Sequence, residues 1–494
     1  MEYKRQTRTE YQTLKKMKKI ATIALAFTLI FSCKKETKTM DEQTTQLEET
    51  KDAIAPLTDN VIETAVIYEA NIRQYSPEGT FDAFTKDIPQ LKGLGVKVIW
   101  LMPVFPISET KRKATGGADS KFASEMPEEE QSKYLGSYYA VTDYTKINPE
   151  FGTIEDFREL VKTAHENGIY VILDWVPNHT GWDHIWIKEH PEYYTQNEAG
   201  DIVHPAGTDW TDVADLNYDN QDMRKEMIED MMYWLTDENI DGFRCDVAGD
   251  VPLDFWEQAM PQLRGVKSIF MLAENDEPKL MKGAGLFDMG YGWKLHHLMK
   301  EIYKGEKSLK DYAGLLEYIK TNYESDDILM NFVANHDENS WSGTVSELYG
   351  DASHLMTAMV YMSPGMPLIY SGQEYDLDHR LKFFEKDSIP KTKGETWDLL
   401  AKLGKLKNEN AALNGGKQKA GYTIEETSND KILKFSREKN GAKLTFIGNF
   451  SNEVQSEKEL LSGIYLNALT EKKEEYKEGD EVTLQPWDFK ILID

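Results

Sequence analysis

Four stretches of this chain each close an apolar run with groups that carry charge or move protons. They are Asp174-Trp175-Val176-Pro177-Asn178-His179, Phe243-Arg244-Cys245-Asp246, Leu272-Ala273-Glu274 and Val333-Ala334-Asn335-His336-Asp337. Together they hold three Asp, one Glu, two His and one Arg. Carboxylates brought together raise one another's pKa. One can then stay protonated near neutral pH while another is ionised. Arg244 stands two residues before Asp246 and so points to the same side of a strand. Its fixed charge is expected to hold Asp246 ionised. An ionised carboxylate beside a protonated one suits cleavage of a glycosidic bond. No Ser or Cys has a nucleophile-elbow context, and His179 with His184 makes a poor zinc pair. Cys245 reads as core packing, and lone histidines such as His165 and His354 as satisfied structural residues.

The four carboxylates are 72, 28 and 63 residues apart in sequence, so only a closing fold can gather them. From about residue 61 a short apolar run, a turn and an amphipathic segment repeat. The runs at 65–68, 96–101, 170–175, 242–246, 268–273, 286–289, 328–334 and 367–370 read as buried parallel strands, continuous rather than alternating. Helices are expected over 80–94, 153–167, 223–238 and 352–362. Eight such units in order predict a (β/α)8 barrel, whose chemistry lies at the C-terminal ends of its strands. A doubly wound sheet is the alternative, but it would normally carry a Gly-rich phosphate loop after the first strand, and 68–75 has none. Two connections are too long for plain loops. One is 103–138. The other, 180–217, is rich in Trp, Tyr and His and reads as a small inserted subdomain. The barrel is expected over 61–410, and an antiparallel β-sandwich domain over 411–494.

The composition agrees with a soluble folded body: 494 residues, 40% hydrophobic and 29% charged. A net charge of −28 argues against a nucleic-acid partner. Residues 1–19 carry seven Lys or Arg against two Glu and precede the apolar run 20–31. Twelve residues are too few to span a bilayer and fit a signal-peptide core. The run closes as Leu29-Ile30-Phe31-Ser32-Cys33, which resembles a bacterial lipobox, so residues 1–33 read as a lipoprotein signal with Cys33 lipidated. The acidic stretch 34–60 reads as a flexible tether. The protein is therefore expected on a membrane through a lipid anchor, outside the cytoplasm and as a monomer.

The stretches 174–179, 242–246, Glu274 and 335–337 resemble, in order and spacing, four signatures of the α-amylase family, glycoside hydrolase family 13. Asp215-Leu216-Asn217 resembles a fifth. The resemblance implies Asp246 as nucleophile, Glu274 as general acid and then base, and Asp337 as the carboxylate gripping sugar hydroxyls. It places Arg244, Asp174, Tyr139, His179 and His336 around the bound sugar, with Arg244 holding the nucleophile and Asp174 pairing with Arg244. It implies retaining cleavage of α-1,4-glucans through a covalent glycosyl-enzyme, with the carboxyls of Asp246 and Glu274 about 5–5.5 Å apart. Asn178 and Asp215 match calcium ligands of some members, making Ca²⁺ a candidate cofactor. One departure stands out: Gly249 and Asp250 replace the Lys-His that many members carry after the nucleophile. Alternatives within the same fold are an α-glucosidase, a neopullulanase-like or transglycosylating enzyme, and a non-catalytic glycan-binding lipoprotein. Trp175, Trp182, Trp186, Trp210, Tyr193, Tyr194 and Trp293 are candidate platforms for sugar rings.

Overall fold

The apolar runs pair side by side and close on themselves. In a computed structural model of the chain, residues 54–117, 119–281, 285–458 and 460–494 are described. The leader 1–33, with Cys33, and the tether up to residue 53 lie outside them. Eight parallel strands form the barrel: β1 Val66–Ala70, β2 Val96–Leu101, β3 Tyr170–Trp175, β4 Gly242–Cys245, β5 Phe270–Ala273, β6 Met289–Tyr291, β7 Ile328–Asn331 and β8 Met366–Tyr370. Each pairs with its chain neighbours, and β8 pairs with β1, so no edge is left open.

Alternation along each strand decides what the barrel holds. Ile67, Val98, Trp100, Tyr170, Ile172, Phe270, Leu272, Met289 and Met330 meet in one cluster inside the barrel. Val66, Tyr68, Ile99, Leu101, Val171, Leu173, Phe243, Cys245 and Met271 belong to another, shared with the surrounding helices. Side chains two residues apart share a face. Continuing the inward set by one step reaches Glu69, Asp174, Arg244, Asp246 and Glu274. Asp174 faces Arg244 in the β3–β4 register, and Glu69 faces Trp100 in the β1–β2 register. The polar layer is therefore the apolar layer's own period carried to the strand ends.

The helices around the barrel follow ordinary signals. The helix Ile154–Glu166 opens with Thr153 and Asp156 capping one another and buries Phe157, Leu160, Val161 and Ala164. His165, on the same helix, is buried with Nε2 2.7 Å from Asp241 Oδ2, a satisfied structural residue. The helix expected over 80–94 is instead Phe81–Thr85, Ile88–Leu91 and a 3-10 turn Lys92–Leu94. Pro89 stands in the first turn of the second piece, and its missing N–H and fixed ring break a continuous helix. The sixth strand starts later than the run 286–289 suggests, because Leu286 and Phe287 are buried against the helix-side core instead of pairing. The seventh stops at Asn331, before the polar triplet 335–337.

After β3 a two-stranded ribbon, His179–Gly181 with Val213–Asp215, stands in the expected inserted subdomain. Beyond the barrel, six antiparallel strands form a sheet in the order Gly421–Glu425, Ile432–Lys439, Ala442–Asn449, Phe489–Ile493, Gly463–Asn467, Lys472–Tyr476. A second pair, Gln455–Lys458 with Glu481–Leu484, accompanies it. Among the described residues no helix is long and apolar enough to cross a membrane.

Gly242 opens β4 at φ +147°, and a Cβ there would lie 1.8 Å from the Phe270 carbonyl oxygen of β5. Gly242→Ala is therefore expected to cost about 4 kcal/mol or more, measured by denaturant unfolding. Unchanged stability would show that the two backbones are not apposed there.

Candidate active site

The barrel's polar layer is organised around one cation. Arg244 has no exposed side-chain surface, and its guanidinium touches three carboxylates. Nη1 donates to Asp174 Oδ1 at 2.8 Å and to Asp246 Oδ1 at 2.9 Å, while Nη2 is 2.9 Å from Glu274 Oε2. Nε donates to Tyr291 Oη at 3.1 Å, and the group lies over the Trp100 ring, 4.9 Å from its centroid. Asp174 is equally sealed, and its Oδ2 accepts from Trp100 Nε1 and Tyr139 Oη, both at 3.2 Å. Asp246, Glu274 and Asp337 are different: their side chains are 11%, 15% and 40% exposed. Only these three carboxylates of the set can reach a ligand. Arg244 and Asp174 have no surface with which to touch a sugar, so they act from beneath by holding the other two.

Arg244 does not keep Asp246 at an ordinary carboxylate pKa. Burial and the neighbouring Glu274 raise it well above the usual range, and Arg244 only opposes them. Burial raises Asp174 too. The physical reason is arithmetic: one positive charge is divided among three carboxylates in a poorly solvated layer. The cluster accordingly favours keeping a proton.

A second group sits beside it. His336 Nδ1 is 2.6 Å from Glu69 Oε1, and its Nε2 is 2.8 Å from Tyr139 Oη and 3.4 Å from Asp337 Oδ2. Burial pulls His336 down, but Asp337 and Glu69 raise it to about 9, so it is cationic at neutral pH. His179 is the opposite case: burial lowers it to about 3, leaving it neutral. Its Nδ1 lies 3.1 Å from the Asn178 side-chain nitrogen. If that amide donates, the ring's proton is on Nε2.

A cavity of about 450 Å³ opens above these groups, with Tyr139, His179, Asp246, Glu274, His336 and Asp337 in its wall. The structure thus gathers six of the eight expected catalytic and sugar-binding residues on one cavity and puts Arg244 and Asp174 behind it. The profile of the α-amylase catalytic domain matches residues 37–209 and 207–434. The chain belongs to the α-amylase family. It is 23% identical over 405 residues to the α-amylase MalA of Haloarcula japonica, covering 79% of this chain and 56% of that one. Solved α-amylases from Lactobacillus plantarum (29% identity) and Thermotoga neapolitana (a maltogenic AmyB, 28%) superpose with a TM-score of 0.75 each. Each covers 88% of this chain, and the alignments span 100% and 99% of those chains. Against three curated relatives this chain spans 56%, 64% and 53% of their length.

The departure from the family pattern after the nucleophile has a steric side. Where many α-amylase family members carry Lys after the nucleophile, Gly249 leaves no room: a Cβ would lie 2.1 Å from the Asn275 side-chain nitrogen. Asn275, next to Glu274, fills that space. Val247, just after Asp246, has φ +36°, a strained conformation for a β-branched residue. It aims its N–H at Glu274 Oε2 at 2.7 Å. Of the aromatic platforms expected from sequence, Trp210 alone lines the cavity. Trp175, Trp186, Tyr193 and Tyr194 are buried in the core, and Lys111 covers Trp182 at 3.5 Å. Trp293 packs on Tyr291 and Phe332 at 5.3 and 5.0 Å. The cavity's other aromatics are Tyr139, Trp341, Phe383 and Phe384, of which sequence reasoning missed the last three. Trp341 belongs to a π-helical turn, Glu338–Ser342, that follows Asp337 directly. The turn is tied down by Glu338, 2.9 Å from Lys300 Nζ and 3.0 Å from His296 Nε2.

The structure brings the two expected calcium ligands next to one another. Asn178 and Asp215 are neighbours, because His179 pairs with Asp215 and the Asn178 carbonyl accepts from Leu216 N at 3.2 Å. The Asn178 amide nitrogen, however, turns to His179. Among the described residues no three acidic, His or Cys side chains converge as a metal site, whereas calcium takes six to eight oxygens. Excess EDTA is expected to leave both Tm and turnover unchanged. A drop in Tm that added Ca²⁺ reverses would show that backbone carbonyls complete a site.

Proposed function

We propose that this chain is a retaining glycoside hydrolase that cuts α-1,4 bonds in glucans such as starch, glycogen or maltodextrins. The observation that carries the reading is the shared guanidinium. Arg244 holds Asp246 and Glu274 together, and both carboxyls reach one cavity. The names of relatives support the substrate class: an α-amylase of Dictyoglomus thermophilum is 25% identical over 359 residues, and a cyclomaltodextrinase of Thermoanaerobacter pseudethanolicus 24% over 463.

The residues divide the chemistry as follows. Glu274 gives its proton to the glycosidic oxygen while the Asp246 carboxylate attacks C1. The C1–oxygen bond breaks, the leaving chain departs as an alcohol, and a glycosyl ester remains on Asp246. Glu274, now ionised, takes a proton from water, whose oxygen attacks C1 and releases Asp246. Two inversions at C1 give net retention. Arg244 and the Val247 N–H both bear on Glu274 Oε2, which leaves Oε1 to carry the transferable proton. Asp337 and the His336 cation beside it grip the sugar's hydroxyls, and the Tyr139 ring faces the same sugar.

The test is maltoheptaose hydrolysis followed by NMR of the anomer first released, expected to be α. Asp246→Asn should lower kcat by about 10⁴-fold or more. If it kept most of the activity, the assignment would be wrong. The same variant should hold or raise Tm at pH 7. A carboxyl whose pKa is raised on folding stabilises fully at low pH and loses that contribution as pH rises through the folded value. Asn removes the loss. In the wild type, kcat/KM should fall on the acid side at a pH above the ~3.9 of a free Asp.

The N-terminal region supports a second part of the proposal: Cys33 carries a lipid that anchors the enzyme to a membrane outside the cytoplasm. Labelled palmitate should enter the full-length protein in bacterial cells and be absent from Cys33→Ala. Equal labelling of both would remove the anchor.

A further inference from the structure

Strand β1 contains one acid in an otherwise uncharged run, Val66-Ile67-Tyr68-Glu69-Ala70, and the whole strand is buried. We propose that Glu69 is a positioning residue that keeps His336 doubly protonated, so that the imidazolium charge stands at the cavity wall beside Asp337. Only its consequence for turnover rests on the glycosidase reading.

Hydrogen-bond accounting leads to this state. Tyr139 has one proton, and it goes to Asp174 Oδ2 at 3.2 Å. The tyrosine oxygen must then accept from His336 Nε2 at 2.8 Å, so Nε2 bears hydrogen. On the other side of the ring, Glu69 Oε1 accepts from the His336 backbone N–H at 3.4 Å. Burial raises the Glu69 carboxyl, while His336 and Arg244 favour its ionised form. As a carboxylate it has no proton to give, and Nδ1, 2.6 Å from the same oxygen, donates to it as well. A ring with both nitrogens protonated is a cation. Both partners are almost sealed, with side chains 3% and 0% exposed, so water offers the charge little relief and the ion pair must hold it.

The groups facing His336 are named by element. Glu69 comes from β1, Asp174 from β3, Arg244 from β4, Tyr139 from the connection after β2, and Asp337 is its own neighbour. Asp337 and Glu69 favour the cation, while Arg244 and burial oppose it. The Trp100 ring meets the imidazole edge-on at 5.9 Å. Glu69 is thus one of two carboxylates that hold the cation in place. The other, Asp337, is 40% exposed and faces the ligand.

Glu69→Gln keeps the shape and an accepting oxygen but removes the charge. The His336 titration, followed by NMR of ¹³Cε1-labelled histidine and assigned by the signal missing in His336→Gln, should drop by about one pH unit or more. The alkaline limb of kcat/KM on maltoheptaose should move down by the same amount. Activity should fall about twofold at pH 8 and about fivefold at pH 9, and stay unchanged at pH 5. Glu69→Asp, which keeps the charge but draws it back from the ring, should titrate between the two and covers the case in which Glu69→Gln does not fold. An unchanged midpoint in the variants overturns the proposal. So does an equal loss of activity at pH 5 and pH 9, which a merely structural role would give. If the wild type hydrolyses no glucan, the glycosidase reading fails, and the NMR midpoint still decides the state of His336.

Discussion

A guanidinium with no access to water cannot stand alone, and the top of this barrel is built around meeting that need. Removing such a cation from solvent costs several kcal/mol, recovered only with close counter-charges and hydrogen bonds. Arg244 finds these in Asp174 directly across the β3–β4 register, in Asp246 two residues along its own strand, and in Glu274 at the end of β5. Aromatic faces from Trp100, Tyr139 and Tyr291 surround it at 4.9, 5.9 and 5.7 Å. The structural demand and the chemical arrangement are the same fact. The carboxylates that satisfy the arginine outnumber it, and the surplus negative charge keeps a proton within reach of the cavity.

Beside this cluster stands a second pairing of opposite charges, Glu69 with His336, joined to the first through Tyr139 and Asp174. Layer by layer, charge alternates from the sealed interior to the open wall. The buried members fix geometry. The partly exposed members, Asp246, Glu274 and Asp337, are left for the ligand.

Much of this was legible in the sequence because the reacting groups end apolar runs, where strand periodicity can be followed to its last inward residue. Asp174, Arg244, Asp246 and Glu274 were found that way, and the eight strands with them. Glu69 obeys the same period but was passed over, since a single acid in a short apolar run gives no sign of its partner 267 residues away. Trp341, Phe383 and Phe384 lie outside any periodic segment, so nothing local marks them as cavity wall. The opposite error came from composition. The inserted subdomain is rich in aromatics, yet Trp186, Tyr193 and Tyr194 are spent on the core shared with the barrel's helices. Asn178 and Asp215 sit side by side as the family resemblance implied, but a calcium cage depends on oxygens that no motif announces.

The two-residue rhythm of the barrel strands has a consequence for how such a protein can vary. In β4, Arg244 looks inward and Cys245 outward, toward helices. Inserting or deleting one codon within the strand would exchange them, setting a thiol in the polar layer and an arginine in grease. Every residue downstream on that strand would swap sides with it. Length changes are therefore admissible only where the chain leaves the barrel, as in the long connection after β2 and the subdomain after β3. A lineage built on this scaffold can alter the rim freely, but its eight staves must be inherited whole.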